Sequence, residues 1–188
     1  MRRNITLAAA VSFLLTIFFM RCLSEQSGAS LVTLDTKMLK KVTHQRVFSN
    51  NNAEDTFSLT LIGNKISSAQ ITFTITNNKG VILYKENFPS EALLDYGLLE
   101  VSEKPTEKDK ENYLLKRMDT FFEPKDFSTP AIKPNADYEP QYSDRIIWNT
   151  LKQDTTAVGF DYLLYEESGR SIAYSKKLKK VVEYFSCC

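Results

Sequence analysis

Three cysteines and one histidine are the most reactive side chains in this chain, and their positions restrict what they can do. Cys187 and Cys188 are adjacent at the C-terminus, Cys22 stands far from them, and His44 has no second histidine to pair with. Zinc is held by ligands in close pairs on converging elements, and no such spacing occurs here. A Ser-His-Asp triad or a Cys-His pair would have to use His44, which stands in a polar stretch that reads as a solvated loop. Adjacent cysteines bond to each other only through a strained ring, so Cys187 and Cys188 read as two thiols ending a strand. The alternatives are a vicinal disulfide or a bridge to another molecule in an oxidising compartment.

Carboxylates are plentiful. Glu166-Glu167, Asp137 with Glu139, and Asp144 carry the charge that acid–base chemistry or calcium binding needs. None has the spacing of a calcium loop, and acids at turns are ordinarily solvated. Lys176, Lys177, Lys179 and Lys180 form a short basic run that would suit an anionic surface but reads as a charged turn that discourages edge-to-edge pairing. The six glycines stand apart, so no phosphate loop, nucleophile elbow or dinucleotide fingerprint is present, and no cofactor is expected. With 24 basic and 23 acidic residues, the chain lacks the concentrated basic face of a nucleic-acid binder.

The remaining recognition chemistry is aromatic. Between two helical patterns lies a segment with Pro124, Pro130, Pro134 and Pro140, which cannot form a regular element. It carries Phe127, Ile132, Tyr138 and Tyr142, and Trp148 follows off the apolar stripe of the next helix. Large aromatic side chains on an irregular loop suit a protein-binding surface, because they offer much contact area for little lost entropy. They serve equally to pin a long loop onto a sheet.

The elements that position these residues follow from periodicity. Gln70 to Thr76 alternates Ile71, Phe73 and Ile75 with Thr72, Thr74 and Thr76, a half-buried strand. Asn77-Asn78-Lys79-Gly80 turns the chain, with Gly80 where a positive φ is needed, and Val81 to Phe88 returns as its partner. Thr56 to Ile62 alternates in the same way, Leu31 to Leu39 reads as a first strand, and Lys40 to Asp55 is polar with a loop at Asn50-Asn51-Asn52. Thr106 to Asp109 resembles a capping box, opening a helix to about Phe122 with Leu114, Met118, Phe121 and Phe122 on one stripe. Ser143 caps a second helix, roughly Asp144 to Lys152, with Ile146, Ile147, Thr150 and Leu151 inward. Thr156–Glu166, Ser171–Ser175 and Val181–Cys187 form a second meander, with a turn at Glu167 to Arg170. The expected fold is α+β: mainly one antiparallel sheet of about six strands in two meanders, with two or three helices packed on one face.

The N-terminus is of another kind. Arg2 and Arg3 precede a run from Ile5 to Met20 without a charged residue, and Cys22 follows it directly. Leu23 to Ser30 is then small and polar, as a tether is. These thirty residues resemble a bacterial lipoprotein signal peptide and tether, with Arg21 standing where that pattern has Gly, Ala or Ser. The resemblance implies lipidation of Cys22. Cleavage after Ala29 and an uncleaved anchor held by Arg2 and Arg3 are the alternatives. Residues 1–21 are therefore read as signal peptide or membrane anchor, 22–30 as a flexible tether and 31–188 as a single globular α+β domain. The expected function is a small exported protein, anchored in the cell envelope by its N-terminus, that binds an envelope protein partner without catalysis, as inhibitor, immunity factor or assembly accessory. The alternative is a small-ligand carrier or hydrolase with a pocket between sheet and helices.

Overall fold

The structure, a computed structural model, describes residues 37–188. The apolar run, Cys22, the tether and most of the expected Leu31–Leu39 strand lie outside the described residues. Four strands open the fold: β1 (Lys37–Asn50), β2 (Ala53–Gly63), β3 (Gln70–Thr76) and β4 (Ile82–Pro89). They pair antiparallel in sequence order. The alternation in β3 works as its sequence requires: Ile71, Phe73 and Ile75 are buried opposite Leu61, Leu59 and Phe57 of β2. Gly80 takes φ +80°, and the Asn77 side-chain carbonyl accepts hydrogen bonds from the Lys79 and Val81 amides at 3.0 and 2.9 Å. Any L side chain at Gly80 would be forced into the left-handed region.

The polar segment Lys40 to Asp55 is largely strand, with its turn at Asn51 and Asn52, within the expected loop. β1 is an edge strand whose core-facing positions, opposite Leu61, Leu59 and Phe57, are Lys40, Val42 and His44. Long polar side chains can line such an edge because their tips reach partners beyond the core. Lys40 Nζ, for example, lies 2.6 Å from Asp119 Oδ1 and donates to the Leu115 carbonyl at 3.2 Å. The charges conceal the alternation.

Three helices follow, namely α1 (Gly97–Val101), α2 (Glu107–Asp119) and α3 (Arg145–Lys152), with the short strand β5 (Phe127–Ser128) between the last two. The chain ends in β6 (Gly159–Leu164), β7 (Ser168–Ser175) and β8 (Lys180–Cys187), and β5 to β8 make a second antiparallel sheet in sequence order. The fold is α+β, but the single sheet of six strands is replaced by two sheets of four. The two meanders meet through their apolar faces, not their edges. Phe57 packs edge-on against Phe160 at 5.5 Å, and Phe73 against Tyr162 at 5.7 Å. Alternation in a strand announces an apolar face and leaves open whether another sheet or a helix covers it.

The helices are not gathered on one face either. α2 and the residues after it send Leu114, Met118, Phe121 and Phe122 into the core shared by the two sheets. α3 sends Trp148 and Leu151 into a second core with Ala173, Val182 and Tyr184. Thr106 and Asp109 form the expected capping box of α2. α3 is capped by Asp144, not Ser143: Asp144 Oδ1 accepts from the Ile146 and Ile147 amides at 2.8 and 2.9 Å. Its buried side is centred on Trp148 and Leu151, while Ile146 is 72% exposed. Gly169, expected in a turn, is paired within β7 to Leu163 and Cys187, and Tyr165 turns the chain at φ +58°.

Candidate functional site

The five aromatic and aliphatic residues singled out from the sequence divide between two environments. Phe127 is buried in the first core, 4.8 Å from Phe160, with the Arg46 guanidinium 4.9 Å from its ring centre. Ile132 and Trp148 are buried in the second core. Tyr138 is half-buried: it lies edge-on to Trp148 at 5.9 Å, stacks under Arg145 at 4.0 Å, and donates its hydroxyl proton to the Ser143 carbonyl at 2.8 Å. Half-buried Tyr142 packs on Phe185 at 5.4 Å, and its carbonyl accepts from the Ser186 amide at 2.9 Å. These contacts anchor the Pro-rich segment to the second sheet, and the five side chains share no continuous exposed face.

His44 is not in a loop. It lies on the core side of β1, stacked on Phe127 at 5.6 Å, and its Nε2 is buried without a hydrogen-bond partner. Cys187 ends β8 with its Sγ 3.7 Å from the Glu167 carbonyl, Cys188 is exposed, and both thiols are free. Asp144 serves as a helix cap. Lys176 is held at its turn by Asp154 and by the Thr156 hydroxyl, at 3.5 and 2.6 Å. No group of three or more His, Cys, Asp or Glu among the described residues is arranged to hold a metal.

The densest polar cluster lies between the sheets and was not anticipated. Glu86 occupies a core-facing position of β4, opposite Phe73. Its carboxylate accepts from Tyr162 at 2.8 Å, from Tyr84 at 3.1 Å and from Arg170. The two tyrosine hydroxyls lie 3.0 Å apart, so either can donate to the other in place of its bond to Glu86. Burial, reinforced by the Glu86 charge, pushes the Tyr84 phenol up to about 12 and raises that of Tyr162 further in the same direction. A signal was present in the sequence: Glu86 is in phase with Tyr84 and Phe88, and a charge on the apolar phase of a strand needs a partner.

Next to this cluster lies a cleft of about 460 Å3 between the second sheet and the end of α2, lined in part by Asp95, Arg117, Phe121, Asp126, Asp161 and Arg170. Arg117 Nε forms an ion pair with Asp95 Oδ2 at 3.1 Å, and Asp95 also accepts from Tyr113. Burial, with that hydrogen bond to Asp95, pushes the Tyr113 phenol up to about 12. Burial also raises the Asp126 carboxyl, although the Glu123 amide donates to it at 3.1 Å. The cleft therefore has the polarity of a ligand site: each arginine has a carboxylate beside it, but the Nε of Arg117 and of Arg170 is buried without a hydrogen-bond partner.

A second feature lies at the surface. Tyr96, Leu99, Val101 and Tyr165 are each 50% to 60% exposed. The Tyr96 hydroxyl donates to Glu167 at 3.3 Å, the Tyr165 amide bonds the Ala92 carbonyl at 2.5 Å, and the Leu99 amide bonds the Tyr96 carbonyl at 3.0 Å. The first joins the start of α1 to the β6–β7 turn, and the second ties that turn to the segment just before α1. Short elements outside the two meanders carry these side chains, and no periodicity marks them.

Comparisons with protein-family models, with curated proteins and with solved structures found no match to the chain.

Proposed function

We propose that the protein is a non-catalytic protein-binding module tethered in the cell envelope, of the inhibitor, immunity or assembly-accessory kind. One contrast carries this reading. The arginines in and beside the cleft pair with carboxylates, Arg117 with Asp95 and Arg170 with Glu86, whereas exposed apolar side chains gather on α1 and the β6–β7 turn. A catalytic site needs an acid, base or nucleophile free to act. A binding surface needs apolar anchors within reach of a partner. The envelope location is supported by Arg2 and Arg3, the uncharged run after them and Cys22.

The alternative, a small-ligand carrier, is favoured by the cleft of about 460 Å3 and by the half-buried Asp126 within it. Affinity capture of the full chain from its native envelope, with crosslinking, separates the two. A stoichiometric protein partner is expected. A bound metabolite or substrate turnover without a protein partner would replace this reading with the alternative. Mass spectrometry of the membrane fraction tests the tether: a diacylglyceryl group on Cys22 is expected, and an intact Met1 or a start at Ser30 would refute lipidation.

A further inference from the structure

We infer that Tyr96, Leu99 and Tyr165 form the docking surface for a protein segment that presents an apolar anchor between basic side chains. The inference rests on the protein-binding reading and names the site and the chemistry of its partner. Tyr96 and Leu99 are three residues apart and share one side of the helical turn that opens α1. Tyr165 lies beside Tyr96 across a shallow depression bordered by Leu94 and Ser168. Tyr96, Leu99 and Tyr165, each half or more exposed, leave an apolar area uncovered that monomers ordinarily bury or use.

Charge decides the kind of occupant. Between residues 95–104 and 165–168 the acids are Asp95, Glu100, Glu103, Glu166 and Glu167, and the only base is Lys104. Asp95 is engaged by Arg117, but Glu100, Glu103, Glu166 and Glu167 are exposed. The surface is thus an apolar centre with an acidic margin. An anionic membrane or an acidic segment would be repelled, while Lys or Arg flanking a Leu or aromatic anchor would be attracted and steered in. The negative field is felt by the surface itself, because the Glu166 carboxylate, with Glu167, raises the Tyr96 phenol above its ordinary value.

Tyr165 adds a geometric argument. It sits at φ +58°, a conformation that costs a bulky L residue roughly 1 kcal/mol and that Gly or Asn would occupy more easily. A tyrosine kept there holds its ring at the surface, on the depression that Tyr96 also lines. Both rings are pre-positioned anchors that lose little entropy on binding.

The test is a selection of random displayed peptides on the purified full chain, followed by titration of the enriched peptides. Enriched peptides are expected to combine Leu, Phe or Trp with flanking Lys or Arg. Their binding should weaken with salt, and about tenfold with Leu99→Glu or Tyr165→Ala, a loss typical of an anchor residue. The double change Glu166→Lys with Glu167→Lys should move the selection toward acidic peptides. Ile146→Glu, at an exposed site on α3, should leave binding unchanged. Enrichment of acidic or uncharged peptides, indifference to Leu99→Glu and Tyr165→Ala alike, or no enrichment at all would overturn the assignment. Envelope crosslinks to a partner on other residues would reject this surface while the protein-binding reading stood. A captured metabolite with no protein partner would reject that reading itself.

Discussion

The carboxylate of Glu86, on β4 of the first sheet, accepts a hydrogen bond of 2.8 Å from the hydroxyl of Tyr162, on β6 of the second. With Arg170 on the same carboxylate, this is a polar tie between two apolar faces. Glu86 is 15% exposed and Arg170 32% exposed. Removing one partner therefore leaves a partly desolvated charge unpaired. Glu86→Ala is expected to destabilise the fold by about 2 kcal/mol, below the full cost of a fully buried pair because Arg170 keeps some water. The double change Glu86→Ala with Arg170→Ala should cost less than the sum of the single changes. Urea unfolding of the four proteins measures both quantities, and strict additivity would show that the pair is not coupled.

High pH attacks the same tie through Tyr84 and the Asp95 contact through Tyr113. The folded protein holds the Tyr84 and Tyr113 phenols at about 12, above their ordinary value of 10.0. A raised folded value means that the folded state keeps protons the unfolded state releases. The stabilisation is complete below pH 10 and declines as pH rises from 10 toward 12. Phenolate absorbance should show Tyr84 and Tyr113 ionising only as pH approaches 12, and Tyr84→Phe should reduce the alkaline loss of stability. Titration of Tyr84 near pH 10 in the folded protein would contradict this.

At low pH the relevant group is Glu107 in the first turn of α2. Hydrogen bonds from Lys110 and then Lys65 hold its carboxyl at about 2, below the ordinary 4.5. A depressed folded value contributes stability that is present above pH 4.5 and lost as pH falls toward 2. The pairs are exposed, so the contribution is small and salt should screen it. Glu107→Gln is expected to flatten the acid limb of a stability–pH curve at low salt only. An equal effect at high salt would point to a cause other than these ion pairs.

Trp148 is the only tryptophan, and it lies in the second core beside Tyr138. Its fluorescence should be blue-shifted and shielded from iodide in the folded chain. Trp148→Ala is expected to cost about 3 kcal/mol and to loosen the Pro-rich segment that leans on it. Limited proteolysis between Lys125 and Gln141 would detect the loosening. A quencher-accessible tryptophan would place it outside the core.

Two glycines differ in what they tolerate. A Cβ at Gly159 would meet the Tyr184 hydroxyl at 2.5 Å and the Ser128 hydroxyl at 2.8 Å. That crowding would disturb the hydrogen bond from Tyr184 to the Ala131 carbonyl. Gly159→Ala should lose about 2 kcal/mol by overpacking. Gly80 has open space around it, and Gly80→Ala should lose about 1 kcal/mol through its left-handed backbone alone. Thermal unfolding of the two variants gives the order, and a reversed order would refute the crowding at Gly159.

The meanders were legible because alternation is local: Ile71, Phe73 and Ile75 cannot all be buried unless the segment is extended. α2 was legible through Thr106 and Asp109, a cap that needs only four neighbouring residues. β1 was not, because Lys40, His44 and Arg46 find their partners in α2, Phe127 and the residues between them. The burial of Trp148 was hidden for a similar reason. The inward side of an eight-residue helix is set by what covers it, and here that is β8 and the Pro-rich segment.

The sequence by itself determined the strands β2 to β4 and β6 to β8, the tight turn at Gly80, the capped start of α2 and the distinct character of the first thirty residues. Each depends on backbone sterics or on side chains a few positions apart. Only the tertiary structure decided that two sheets face one another, that Glu86 meets Tyr162 and Arg170, and that Tyr96 reaches Glu167 beside Tyr165. Those outcomes join residues about 70 or more positions apart, and closing such distances depends on the packing of the whole chain, which no local pattern encodes.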